Sequence, residues 1–230
     1  MVKDLETIDK KINSLSRLAN TGDKIAVQQI DILDKYKRKI SEGFSARSFS
    51  IDNDEFIDEL QLLTNKPVLY VCNVNQDSMN GNEYTKIVSE HIKNEDARMI
   101  IIAAGIESEI NELDSIEDRN EFLKDLGLQE PGVNKIIRNT YSLLGLQTFF
   151  TAGEKEVRAW TIKKDSSAPQ AAGKIHTDFE KGFIRAEVIS YHDMIEYGSE
   201  LACRERGKIS IEGKTYQVKD GDIIHFRFNV

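Results

Sequence analysis

Cysteine is nearly absent from this chain: Cys72 and Cys203 are the only two, and they lie far apart. That scarcity excludes a disulfide framework and a zinc site built on paired thiolates, and makes a reducing cytoplasm the expected location. No apolar run approaches the ~20 residues that span a bilayer, so no membrane partner is expected. The opening MVKDLETIDKK is charged and helical in character, without the apolar centre of a signal peptide. Internal repeats and low-complexity tracts are also missing.

What is there is 230 residues, 40% hydrophobic and 30% charged, enough for one large or two small domains. The formal net charge of −8 is unevenly spread. Residues 1–147 carry 18 Lys and Arg against 26 Asp and Glu, whereas residues 148–230 carry 13 of each. The acidic first part argues against broad nonspecific nucleic-acid binding there, while the neutral C-terminal part has room for a local basic patch.

Apolar residues at Leu5, Ile8, Ile12, Leu15 and Leu18 fall on one helix face, and a second set follows at Ile30, Leu33, Ile40 and Phe44. With the turn-forming Thr21-Gly22-Asp23 between them, the two helices are predicted to pair antiparallel. Asp52 and Glu55 read as a capping box opening a helix over 53–63. A strand at 68–72, a helix near 83–93 and a strand at 98–102 then predict a parallel sheet covered on both faces, because both strands are almost continuously apolar. Ser115 starts another helix that stops at Gly127, and Pro131 stands in the first turn of the next. The texture changes at Thr148. A hairpin through Gly153, a short helix near 169–176, a strand at 183–190, strand pieces KISI and KTYQV, and a last strand after Asp220-Gly221-Asp222 predict a ubiquitin-like sheet curled over one helix.

The first strand stops at Asn73-Val74-Asn75-Gln76. In P-loop GTPases the strand-end Asn-Lys-x-Asp reads guanine, the Asn addressing the imidazole side of the base and the Asp its Watson–Crick edge. Here the lysine and the acid are both replaced. Gln76 donates and accepts at once, so it suits adenine at least as well as guanine. The second strand runs into Ala103, Ala104 and Gly105, a loop that in such folds offers backbone N–H groups to the base. The phosphate cradle G-x-x-x-x-G-K-[ST] is missing. The single Gly-Lys-Thr, at 213–215, has Lys208 where the first glycine belongs and sits in hairpin context.

Three stretches, KPVLYVCNVNQ (66–76), LGLQTFFTAGEKEVRAWTI (144–162) and above all APQAAGKIHTDFEKGFIRAEVI (168–189), resemble the Obg-like ATPases of the YchF type. The closing KDGDIIHFRFNV resembles the end of their TGS domain, and the similarity extends over essentially the whole chain. The resemblance implies an α/β fold: a partial P-loop-type parallel sheet with an α-helical hairpin, followed by an α+β TGS domain of β-grasp, ubiquitin-like form. It implies a helical arm and following helix over 1–64, the C-terminal part of a nucleotide-binding domain over 65–146, and the TGS domain over 147–230. It also implies that the phosphate loop, both switches and the Mg²⁺ ligands belong to a preceding part, so this chain reads as a fragment, a split-gene product or a trimmed piece. The intact family member binds ATP or GTP with Mg²⁺. None is expected to bind tightly to this chain alone.

The base contacts implied by the resemblance are Asn73, Val74 and, with Gln in place of the family's acid, Gln76, together with Ala103, Ala104 and Gly105. No residue is assigned a catalytic or metal-binding role. His176 has no acid partner and pocket visible in the sequence, and reads as structural. Cys203, beside Arg204 and Arg206, is a candidate for a lowered thiol pKa. Lys174, Phe179, Lys181 and Arg185 are candidate RNA or ribosome contacts. The expected partners are the large ribosomal subunit or RNA and a separately made P-loop half. Self-association through an exposed sheet edge is a further expectation. Two readings stay open: the base-reading portion of an ATPase, inactive alone, or a nucleotide-independent ribosome-binding or RNA-binding module.

Overall fold

A computed structural model describes residues 1–49, 54–95, 97–153 and 156–229. Residue contacts divide the chain into two units, Met1–Asn139 and Thr140–Val230, which are treated separately below.

The first unit opens with α1 (Val2–Asn20) and α2 (Lys24–Ser41). Gly22, at φ +90°, turns the chain, and the Asp23 carboxylate caps α2 by accepting from the Ile25 and Ala26 N–H groups. Ile8 and Leu15 bury against Ala26, Leu33, Tyr36 and Ile40, which is the predicted antiparallel pairing. Two expected stripe members do not join it. Leu18 is half exposed at the tip of the hairpin, and Phe44 lies beyond the end of α2 with half its surface in solvent. Phe56, Ile57 and Leu62 complete this core from α3 (Asp54–Glu59) and the turn after it. The helix expected over 53–63 is therefore shorter, and the Asp52 capping box lies outside the described residues.

Next, β1 (Val68–Asn73), α4 (Glu83–Ile92) and β2 (Ala97–Ile102) form the expected βαβ unit. The strands pair in parallel from Val68 opposite Ala97 to Asn73 opposite Ile102. Cover is incomplete, contrary to the expectation from their apolar sequence. No residue of β1 is fully buried and Val71 is 44% exposed, because this sheet has only two strands among the described residues. α5 (Ala104–Glu112), α6 (Ile116–Asp125) and α7 (Gly132–Leu143) follow. Ser115 caps α6 as predicted, and Gly127 lies just past the helix end at φ +67°.

The second unit is a five-stranded sheet in the order β4-β3-β7-β5-β6. β3 (Leu146–Ala152) and β4 (Val157–Lys163) make the predicted hairpin. α8 (Ala168–Ile175), α9 (Thr177–Lys181) and β5 (Phe183–Ser190) come next, then α10 (Tyr191–Tyr197), α11 (Glu200–Glu205), β6 (Ser210–Glu212) and β7 (Asp222–Phe228). β7 runs parallel to β3 and antiparallel to β5. Alternation sends Phe149, Ile162, Phe183, Ala186, Val188, Ile224 and Phe226 to one face, where Ala168, Ala171 and Ala172 of α8 let the helix sit close. This is the predicted sheet over one helix. KTYQV is not a strand, however. Its backbone goes instead to the segment before α8, through Ala168 N–H to Tyr216 O and Val218 N–H to Ser166 O, leaving one isolated bridge at Gln217. The Tyr216 hydroxyl donates to the buried Asp222 carboxylate at 2.8 Å, and burial, reinforced by that bond, pushes the phenol pKa up. Among the described residues no helix is long and apolar enough to cross a membrane.

Candidate functional site

The parallel register brings the ends of β1 and β2 side by side, and two hydrogen bonds hold them there. Asn73 Oδ1 accepts from the Ala104 N–H at 3.0 Å, and the Val74 N–H donates to Ile102 O at 2.9 Å. With its oxygen committed, the Asn73 amide is oriented, and its NH₂ group is the part left for a ligand. N7 is an acceptor in both purines, so a donor there fits adenine and guanine alike.

Gln76 opens the turn Gln76–Ser78, closed by the Met79 N–H on Gln76 O, and Gly81 at φ +101° redirects the chain into α4. Ala103 is buried at the N-cap of α5, whereas Ala104 and Gly105 are exposed. A Cβ added at Gly105 would meet nothing within 4 Å, so the space over that backbone is open. The structure therefore brings Asn73, Val74, Ala103, Ala104 and Gly105 together at one end of the sheet, with Gln76 on the adjoining turn.

Glu107, not singled out from the sequence, ties this loop to the next helix. Its carboxylate accepts from the Gly132 and Val133 N–H groups at 2.6 and 3.2 Å, at the positive end of α7. Beside it lies a recess of about 20 Å³, lined in part by Met79, Ala103, Leu128 and Lys135. That holds one water but no base, so a base would lie over the loops rather than in this recess. Glu107→Ala is expected to destabilise the first unit by about 1–2 kcal/mol through the lost cap, read as a lower urea midpoint of its helical CD signal.

Gly213-Lys214-Thr215 follows β6 in a turn closed by the Tyr216 N–H on Gly213 O, with no helix behind it. It has none of the geometry of a phosphate loop. No group of three or more His, Cys, Asp or Glu among the described residues is placed to hold a metal. His176 Nδ1 accepts from the Asp178 N–H at 3.2 Å and caps α9, a structural role. Cys203 is fully buried with its thiol directed at Asp193 O, which removes the exposure that a redox-sensitive thiol needs. Cys72 is half-buried, in keeping with the incomplete cover of β1.

In the second unit the four candidate contacts separate. Lys174 is on α8, Phe179 and Lys181 are on α9, and Arg185 is on β5. One ring face of Phe179 is occupied by Phe228, with the ring centroids 3.7 Å apart. Arg185 alternates with the buried Ala186 and so faces away from α8, as does Glu187's partner Arg227 on β7. Glu187 is held below the usual carboxylate range, chiefly by its hydrogen bond from Arg227. His225 and Arg227 alternate with Ile224 and Phe226 in the IIHFRF run. That alternation was the available signal for a charged outer face.

Residues 146–229 match the family model YchF-GTPase_C, described as a protein of unknown function (DUF933). The chain is 48% identical over its full length to the Ribosome-binding ATPase YchF of Bacillus subtilis (strain 168), of which it covers 64%. To the protein of the same name from Escherichia coli O157:H7 it is 47% identical, over 99% of this chain and 63% of that relative. The solved YchF GTPase of Schizosaccharomyces pombe superposes with a TM-score of 0.83 at 34% identity, over 98% of this chain and 62% of that one. The chain thus spans a little under two thirds of the length of these relatives.

Proposed function

Because the chain belongs to the YchF family of Obg-like ATPases over the part of those proteins that it spans, we propose that it supplies the purine-reading edge of a nucleoside triphosphate site and a ribosome-binding C-terminal domain. By itself it turns over no ATP. The observation that carries the first half is the Asn73–Ala104 clasp, which orients an amide donor over two exposed backbone positions. Asn73 and Gln76 meet the base, and Gln76, able to donate or accept, tolerates either purine. The loop Ala103–Gly105 lies against it.

Phosphoryl transfer depends on holding the phosphates and Mg²⁺ in place. Those 230 residues contain no phosphate-loop motif, so the donors suit a base but not a triphosphate. The relatives' printed name, Ribosome-binding ATPase, supports the second half. The large subunit as the surface and a reducing cytoplasm as the location belong to the same proposal, the latter from the scarcity of cysteine. A separately made P-loop half would complete the nucleotide site, and the uncovered edge of β1 suits either that half or a second copy.

The test is a titration of a fluorescent ATP analogue into the purified chain, with unlabelled ATP and GTP as competitors, alongside an ATPase assay. We expect no competable binding up to millimolar nucleotide and no turnover. Micromolar competable binding, or hydrolysis that survives removal of contaminating ATPases, would overturn the inactive-alone reading. Pelleting with purified ribosomes, weakened by added salt, tests the second half.

A further inference from the structure

Arg185 and Arg227 are direct cross-strand partners on the outer face of the C-terminal sheet. Like charges placed opposite each other in a sheet repel, so this pairing calls for a counter-charge. The chain provides one. Glu187 accepts from Arg227 Nε and Nη2 at 3.1 and 3.2 Å and lies 3.5 Å from Arg185 Nη2. The carboxylate is only 14% exposed, while each arginine is 49% exposed. One sunken negative charge therefore orients the Arg227 guanidinium, draws Arg185 towards it, and leaves a surplus positive charge facing outward, with further N–H donors still available. The surface above them is an open trough of about 490 Å³, lined by Ile184, Arg185, His225, Phe226, Arg227 and Phe228.

We propose that this Arg185–Arg227 pair is a phosphodiester-binding face, and that its occupant is an RNA strand of the ribosome. The inference rests on the ribosome-binding reading above and gives it a surface. Guanidinium forks match phosphate oxygens bidentately, and here two hydrogen bonds to Glu187 fix the plane of Arg227 before the ligand arrives, with Arg185 drawn beside it by the same charge. The α8–α9 side, which carries Lys174 and Lys181, is the other face of the sheet and has no such pre-oriented pair.

The experiment uses the whole chain, unmodified and as Arg185→Gln, Arg185→Gln/Arg227→Gln, Lys174→Gln/Lys181→Gln and, in the first unit, Lys86→Gln/Lys93→Gln. Each is measured for pelleting with purified ribosomes and for binding a fluorescein-labelled twelve-nucleotide uridine RNA by anisotropy across salt. Arg185→Gln leaves Glu187 paired with Arg227 and so keeps the fold, which Trp160 fluorescence melting checks. Each lost phosphate contact is expected to flatten the log–log salt dependence of RNA binding by about 0.7. The double arginine variant should bind RNA about tenfold more weakly at 100 mM salt, a loss on the order of that seen for other phosphate contacts, and the Lys86→Gln/Lys93→Gln variant should bind like the parent.

Parental RNA affinity and salt slope in both arginine variants would overturn the proposal, as would a loss confined to Lys174→Gln/Lys181→Gln. Loss of pelleting with RNA binding unchanged would assign the face to an acidic protein surface and overturn the RNA occupant. Absence of pelleting by the parent chain overturns the ribosome reading, while the RNA arm still decides the arginine face.

Discussion

Alanine at position 182 is expected to lower the melting temperature of the C-terminal unit by about 15 °C, following from a loss of about 3 kcal/mol in a domain of this size. The cause is a backbone collision rather than a backbone conformation. Gly182 has φ −90°, which any residue adopts. A Cβ built there would lie 2.0 Å from Asn229 O, 2.9 Å from Asn229 C and 3.2 Å from Asp178 O. None of these is the movable end of a side chain. To make room, the chain after β7 must swing away, which breaks the Asn229 N–H to Gly182 O bond of 2.9 Å. It also strains the Phe183–Phe228 register and the Phe179–Phe228 stack.

Gly173 in the same GKIHTDFEKG run is the internal control. Its added Cβ would meet the Glu180 side chain, whose carboxylate can rotate away, leaving a 3.1 Å approach to Glu180 Cβ that a small shift of α9 relieves. Gly173→Ala also gains helix propensity, about 1 kcal/mol, so it is expected to be near neutral. Trp160, the chain's one tryptophan, belongs to the C-terminal unit, so its fluorescence reports the unit concerned. A melting point for Gly182→Ala within 2–3 °C of the parent, on the order of a sub-kilocalorie change, would mean that the C-terminal segment yields freely and that the close approach is not structural.

Features set by neighbouring residues were legible in the sequence. The apolar runs before Asn73 and in RMIII announced two parallel strands, and Gly153 announced the hairpin, because strand and turn preferences act over a few residues. The clustering of Asn73 with Ala103–Gly105 was also legible, since a βαβ unit must bring two strand ends together. What the sequence hid depended on partners far along the chain. KTYQV has strand composition, yet its backbone bonds go to residues 166–168. Arg185 stood within ten residues of Phe179 and Lys181, so proximity in sequence grouped them. The irregular pairing between Phe183 and Arg185 and the pleat place Arg185 on the face away from α8 instead. Glu107 follows the Ala103–Gly105 loop in a stretch for which the sequence predicted no element, and only the fold places it on α5 with its carboxylate capping α7.

Asp4 is the deepest example of that kind, and removing it carries the second large effect. In the sequence it is an ordinary acid in the first turn of an amphipathic helix, a position normally in solvent. In the fold it is 1% exposed, and its two oxygens accept from the Leu63 and Thr64 N–H groups at 2.7 and 2.9 Å. Thr64 Oγ1 in turn accepts from the Ala46 N–H, and Thr64 O accepts from Arg47, so one carboxylate anchors the segment joining the helical hairpin to β1. Asp4→Ala removes both charge-assisted bonds and leaves the Leu63 and Thr64 N–H groups without their carboxylate partner, an expected loss of about 3 kcal/mol. The helical far-UV CD signal in urea measures it.

The same carboxylate gives the acid response a definite sign. Burial pushes its pKa up, but the hydrogen bonds from Thr64 and Leu63 outweigh that, so it lies below the ordinary value of 3.8. A depressed folded-state pKa contributes stability that is fully present above the unfolded value and lost as pH falls through the folded one. The difference in urea midpoint between the parent and Asp4→Asn should therefore be constant from pH 7 to 5 and shrink below pH 4, roughly the unfolded carboxyl pKa. Taking the difference cancels the other depressed carboxylates, Glu6, Glu187 and Asp193, which both proteins share. A difference that stays constant down to pH 2.5, well below that range, would mean that the bonds to residues 63 and 64 do not depend on the charge.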